Sequence, residues 1–283
     1  MGEYLTLLVL GLVQGLTDIF PVSSTAHLAL LRQLLNVQTF DLSLAAGLHS
    51  GSLVAIAYFL RKDIALIWMH LLVSIRHIRM RIAGKRGSSY LSPELTLPYL
   101  YGLSLVPVAI EGLTLRQVAQ DVFGQSALPL FLMIVNGLVI LVTALVARGE
   151  RTIKELAMFE FLVIGVLQGL AVLPGISRLG LVLCTGLWLR LRWQEALKLT
   201  FLLSIPVVIG ALMVEFGTIA QKLLSNPNLV LPFLLGNLLA YAGSWLSLRL
   251  LTSQLLERKK LAFFGYYCLM LGIFSSVYFY WWK

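Results

Sequence analysis

Gln14-Gly15-Leu16-Thr17-Asp18-Ile19-Phe20-Pro21-Val22-Ser23-Ser24-Thr25-Ala26-His27 lies inside an apolar run that extends from about residue 4 to residue 34. Such a run is too long for one straight membrane span of about 20 residues and too short for two. Proline ends a helix at or before the residue that precedes it, and the hydroxyl-rich turn after Pro21 prolongs the interruption. A second run, at about 158–189, is broken in the same way by Pro174-Gly175-Ile176-Ser177-Arg178. Backbone groups freed at membrane depth must be buried in protein or face a wet cavity. Each run is therefore expected to form a re-entrant helical hairpin that enters and leaves on one side.

The rest of the chain fits that reading. Of its 283 residues 59% are hydrophobic and 12% charged, where a soluble domain would carry about 25% charged residues. Other apolar segments fall at about 41–60, 64–78, 96–115, 127–147, 197–214, 228–250 and 262–282. All but 64–78 are long enough to span, with 197–214 at the short end. Segment 64–78 runs into Arg76, Arg79, Arg81, Lys85 and Arg86 and reads as an interfacial helix. With both hairpins re-entrant, the loops at 61–95, 148–157, 190–198 and 249–260 share one face and hold 17 of the 22 Lys and Arg residues. The positive-inside bias puts that face in the cytoplasm and both termini outside. The net charge of +9 is thus a topology signal and not a nucleic-acid footprint. Cys184 and Cys268 sit in apolar stretches without metal-ligand spacing and read as core residues. No basic segment or cleavage site marks the first apolar stretch for removal.

The two interrupted runs also match each other. Leu10-Gly11-Leu12-Val13-Gln14-Gly15-Leu16 aligns with Ile164-Gly165-Val166-Leu167-Gln168-Gly169-Leu170, and Pro21 and Ser24 match Pro174 and Ser177 after a one-residue slip. Three spans lie between them, and an odd number inverts the second copy. The expected fold is an all-α polytopic membrane protein: an inverted-topology repeat with two re-entrant helical hairpins and about six full transmembrane helices. It forms one integral membrane domain, 1–283, whose repeats cover about 1–150 and 151–283. Sites in such repeats form where broken helices meet near the midplane, and the exposed helix N-termini there favour anions such as phosphate.

Ionisable groups inside membrane segments are functional candidates by default. Asp18 and His27 flank the first break, where a fold across it could bring them together, and Arg178 sits at the second. Arginine offers a planar fork of donors to phosphate; histidine can be acid, base or nucleophile; aspartate can orient the histidine, accept a proton or hold a divalent metal. Ser24 could be a nucleophile activated by His27 or a phosphate donor. Gln14, Ser23, Thr25, His49, Gly175 and Ser177 complete a candidate substrate-binding set, with Asp18 also the metal candidate. Each has a structural alternative. Asp18 could pair with Arg178, His27 could bond to backbone, the serines could cap helices, Gln14 and Gln168 could join helices, and His49 could only pack. Glu111 reads as a snorkelling group near a membrane end, and His70 and His77 as a solvated face.

The stretch from Gln14 to His27 resembles the first signature of the undecaprenyl-pyrophosphate phosphatase, or bacitracin-resistance, family, and Pro174-Gly175-Ile176-Ser177-Arg178-Leu179-Gly180 resembles the second. Arg61-Lys62-Asp63 and Phe201-Leu202-Leu203-Ser204-Ile205-Pro206 are similar to further familial runs, so the resemblance covers essentially the whole chain. Departures are Asp18 for the usual Glu, Ala26 for Gly, Leu179 for Ser and Val182 for Thr. The resemblance implies removal of the terminal phosphate of undecaprenyl pyrophosphate at the outer face of the inner membrane, which recycles the cell-wall lipid carrier. It implies Asp18 as the acidic residue, Ser24 and His27 as the catalytic pair, Arg178 as the pyrophosphate clamp, and a divalent cation, Mg²⁺ or Ca²⁺. The partners are then the polyprenyl pyrophosphate and membrane lipids; a homodimer is compatible and nucleic acid is not expected. The architecture also admits a lipid-phosphate transporter or flippase, or a non-catalytic binding paralogue.

Overall fold

The computed structural model describes residues 3–37, 39–83, 92–125, 127–146, 149–252 and 260–282. Among them are twelve α-helices and no strand. The helices are α1 (Glu3–Asp18), α2 (Ser24–Leu34), α3 (Leu42–Phe59), α4 (Arg61–Ile82), α5 (Pro93–Thr114), α6 (Arg116–Gly124), α7 (Leu128–Val146), α8 (Met158–Leu170), α9 (Arg178–Trp188), α10 (Trp193–Ser225), α11 (Val230–Thr252) and α12 (Leu261–Trp282). Six are long and apolar enough to cross a membrane: α3, α5, α7, α10, α11 and α12. Their outward faces carry large exposed side chains such as Val106, Ile110, Leu145, Met213, Phe216 and Met270. A continuous apolar surface of this kind suits lipid and not water. Lys85 and Arg86 of the basic run after α4 lie outside the described residues.

Two helices differ from expectation. Helix α10 has 33 residues, where the sequence suggests a short span at 197–214. Its apolar stretch is flanked by helix-compatible polar residues, Gln194, Glu195 and Lys198 before it and Gln221 and Lys222 after it, and the helix runs through Pro206. Helix α6 is too short and polar to register in a hydropathy reading, with nine residues that begin at Arg116.

Both interruptions fall where the prolines suggest. Helix α1 stops at Asp18 and α2 starts after Ser23; α8 stops at Leu170 and α9 starts after Ser177. At 11 residues, α2 and α9 are each about 16 Å long, half of a hydrocarbon layer about 30 Å thick. Each packs back on its predecessor, α2 on α1 and α9 on α8.

The main helix pairs join the first half of the chain to the second. Helix α1 lies chiefly on α11 while α8 lies on α5, and α3 meets α10 as α7 meets α12. The aligned glycines make the close approaches. A Cβ on Gly11 would stand 2.2 Å from the Gly236 carbonyl oxygen, and one on Gly165 would stand 2.2 Å from that of Ser104. In lipid no hydrophobic force drives apolar helices together, so small residues that let backbones touch select the pairing.

Candidate active site

The two breaks meet. Thr25 at the start of α2 accepts a hydrogen bond at Oγ1 from Gly175 N–H (3.3 Å). Asn136, fully buried on α7, joins both: its Nδ2 donates to Pro21 O (2.9 Å) and its Oδ1 accepts from Ser177 N–H (3.0 Å). The restarts are alike. Ser23 Oγ accepts from Ala26 N–H (3.3 Å) and Ser177 Oγ from Gly180 N–H (3.0 Å), each capping its helix three residues in.

A cavity of about 360 Å³ opens beside this junction. Its polar end carries Asp18, Ser24, His49, Ser177 and Arg178, along with Ser23 and Thr25. Its apolar end is made by α5 and α10, with Leu105, Val108, Ala109, Val207, Ala211 and Val214. Asp18 is nearly buried; its Oδ1 accepts from Ser24 Oγ (3.2 Å) and faces His49 Nε2 (3.4 Å). His49 Nδ1 lies 2.9 Å from Ala45 O, an atom that only accepts, so Nδ1 carries a proton. Asp18 Oδ2 and Arg178 Nε are buried without a hydrogen-bond partner. No Asp18–Arg178 ion pair is present among the described residues.

His27 stands elsewhere. Its Nδ1 donates to Ser23 O (2.8 Å), and its Nε2 accepts from Tyr267 Oη on α12 (2.8 Å). Both ring nitrogens are thus engaged, and the side chain is not part of the cavity wall. The fold across the break expected to join Asp18 to His27 joins Asp18 to Ser24 and His49 instead. Helical spacing explains this: Ser23 and His27 are four residues apart, so the ring lies over the helix start and faces α12. Gln14 is also outside the wall, fully buried one turn before Asp18 with neither amide atom partnered. Gly175 shapes the turn at φ 111° and does not line the cavity. Of the departures from the familial signatures, Leu179 lines the cavity whereas Val182 is buried in the apolar core, where a hydroxyl would meet no ligand.

The sequence gives no sign of Asn136 or Tyr267 as site residues, since both sit in ordinary apolar spans. It also leaves out the pair at the far rim. Arg116 donates twice to Glu215 of α10, Nε to Oε1 (2.7 Å) and Nη2 to Oε2 (3.1 Å). That carboxylate holds the Arg116 guanidinium even more firmly protonated than usual. Glu111 does not reach water through the cavity: its carboxyl packs against Gly169, with Oε2 buried and unpaired.

Fold and cavity together define a polytopic membrane protein with a partly polar, largely apolar pocket where two broken helices meet. The comparison with known families is specific. The profile described as bacitracin resistance protein BacA matches residues 7–274, and the chain belongs to that family. Relatives named undecaprenyl-diphosphatase include one from Methanosphaera stadtmanae, 32% identical with 98% of both chains covered. Another, from Korarchaeum cryptofilum, is 33% identical over 94% of this chain and 95% of the relative. A third, from Geobacter sulfurreducens, is 33% identical over 93% and 94%.

Proposed function

We infer that this chain is an undecaprenyl-diphosphatase: a membrane hydrolase that converts undecaprenyl pyrophosphate to the monophosphate and inorganic phosphate and so recycles the lipid carrier of cell-wall synthesis. Family membership and the shared name of its relatives support the reaction. One observation carries the site: an unpartnered carboxylate oxygen of Asp18 and an unpartnered guanidinium N–H of Arg178 border one cavity, with Ser24 hydrogen-bonded to Asp18. A hydrolase name does not favour the transporter reading.

The chemistry follows from these positions. Arg178 and the first N–H groups of α9 bind the pyrophosphate oxygens and meet the charge that grows in the transition state. Ser24 Oγ, or a water in its place, attacks the terminal phosphorus while Asp18 accepts its proton. The bond to the bridging oxygen breaks, and the polyprenyl monophosphate leaves. His49 Nε2, which faces Asp18, takes this proton on and passes it to an oxygen of the leaving group, which frees Asp18. If a phosphoserine forms, a water then hydrolyses it with Asp18 again as base. His27, tied to Ser23 O and Tyr267, positions Ser24 by holding the capping turn. The prenyl tail lies in the α5–α10 slot and passes between those helices into lipid.

A divalent cation, Mg²⁺ or Ca²⁺, fits this donor set in one way. Among the described residues no three His, Cys, Asp or Glu side chains cluster as a protein-only cage. Mg²⁺ commonly rests on one or two carboxylates plus substrate phosphate oxygens, and Asp18 Oδ2 is the free carboxylate oxygen here. When bound, the ion would neutralise pyrophosphate charge.

The two broken helix pairs are re-entrant in this reading, as the length of α2 and α9 favours, and the halves are inverted repeats, as their crossed packing favours. The chain sits in the cell inner membrane. Its cavity faces outward, because Leu42, Leu113 and Arg116 at its rim share the helix ends that carry few basic residues. The decisive assay is phosphate release from undecaprenyl pyrophosphate by the purified chain, with Mg²⁺, with Ca²⁺ and with a chelator. Cation-dependent release that disappears in Arg178→Ala is expected. Folded, lipid-binding protein that releases no phosphate would end the hydrolase reading.

A further inference from the structure

In the hydrolase reading inorganic phosphate is made beside Asp18 and Arg178 and must leave for water, while the lining that α5 and α10 give the cavity is mostly apolar. A second cavity, of about 690 Å³, adjoins the first; it is lined by polar residues such as Asp41, Ser43, Thr114, Gln117 and Gln120. Leu42, Leu113 and Arg116 border both cavities and form the partition between them. Leu42 and Leu113 offer nothing to an anion. Arg116 offers a fork of donors, held across the wall by Glu215 on α10, while its own side chain is 40% exposed and that of Glu215 only 9%.

We propose that Arg116 is a second anion site, through which the phosphate product passes from the catalytic cavity to the outer polar one, and that Glu215 holds it closed by competing for the same donors. The proposal rests on the hydrolase reading for the source of the phosphate. The physical basis is exchange of like for like. A carboxylate and a phosphate both accept two parallel N–H bonds from one guanidinium, so an arriving phosphate can take over the fork without leaving a bare cation. The released Glu215 carboxylate then repels the anion toward the polar side. Holding Arg116 on Glu215 at other times keeps a free cation away from the lipid pyrophosphate, so that Arg178 alone sets its register.

The test is binding of inorganic phosphate to the purified full-length chain, followed by ³¹P NMR line broadening, which needs no turnover. Glu215→Gln is close in shape and keeps a hydrogen-bond acceptor for Arg116, and it is expected to bind phosphate about tenfold more tightly, the size of one charge-assisted contact. Arg116→Gln is expected to weaken binding by a similar factor. The double variant, in which a neutral amide pair preserves the wall, should follow Arg116→Gln. A parallel titration with farnesyl monophosphate separates the free product from a lipid headgroup. Affinities for inorganic phosphate within twofold of the parent in all three variants would overturn the proposal. So would a change seen with farnesyl monophosphate alone, since Arg116 would then belong to the lipid. Arg116-dependent phosphate binding in a chain that hydrolyses nothing would leave the anion site standing and remove the hydrolase reading instead.

Discussion

The two helix breaks are built alike and equipped differently. Each follows a Gln-Gly-Leu run, each contains a proline, and each restarts on a serine whose Oγ accepts from an N–H three residues on. The first break, however, ends its entering helix on a carboxylate and places Ser24 on it, whereas the second starts its leaving helix with a guanidinium. In the proposed mechanism the first break supplies the groups that move a proton and attack, and the second the groups that hold charge. The difference teaches that matching caps and sequence runs need not mean matching chemistry.

The sharpest way to break this comparison is to remove one function from each side. Asp18→Asn keeps shape and hydrogen bonding but cannot take a proton; general-base loss should lower kcat about 10²–10⁴-fold. Arg178→Ala should lower kcat/KM about 10²–10³-fold, the scale for losing one charge-stabilising donor. Steady-state kinetics with added cation checks both. If the division of work is right, Asp18→Asn leaves KM nearly unchanged while Arg178→Ala raises it. The reverse pattern would exchange the two roles.

Next in size is the joint. Asn136 satisfies a carbonyl of the first break and an N–H of the second, so Asn136→Leu leaves the Ser177 N–H unpaired, at about 1–3 kcal/mol, and Pro21 O with only the long Cys268 thiol contact. A melting temperature lowered in step with activity is expected. An unchanged melting point would mean that the breaks are held together by other contacts. Smaller again is Tyr267→Phe, which removes the donor to His27 Nε2 and one hydrogen bond, about 0.5–1.5 kcal/mol. It should reduce kcat severalfold with little change in KM if His27 acts by holding Ser24 in place. A pH profile that moves with the substitution would argue for direct proton transfer by His27.

Most of this fold is legible in the sequence. The six long helices, both breaks and the matched glycines follow from hydropathy, proline and repetition, which are local properties of the chain. Candidates on the breaks themselves, such as Asp18, Ser24, Thr25, Ser177 and Arg178, could be named because polar groups in apolar runs stand out. Which of them converge could not. Spacing alone suggested that Asp18 would meet His27, but the helix restart turns that ring toward α12, and His49 arrives from α3 to face the carboxylate. Asn136, Tyr267 and the Arg116–Glu215 pair leave no local sign for the same reason: their partners lie in other elements, 41 to 240 residues away. Long-range pairing is set by packing, and no local pattern records it.

The mildest expected effect separates the two serine caps themselves. Ser177 caps α9 from ordinary extended backbone at φ −82°, but Ser23 caps α2 with φ at +62°, in the left-handed region. A side chain in that region costs about 1–2 kcal/mol, which glycine avoids. Exchanging a serine cap for glycine costs only a few tenths of a kcal/mol. At Ser177 the change brings no relief of strain, so Ser177→Gly should destabilise slightly, by under about 1 kcal/mol once added backbone freedom is counted. At Ser23 the relief outweighs the lost cap, and Ser23→Gly should be neutral or stabilising by under about 1 kcal/mol. Melting temperatures of the two variants in one detergent, side by side, read the difference. Equal losses at both serines would mean that His27, bonded to Ser23 O, already compensates the strain, and that the two breaks are closer in design than their backbone angles suggest.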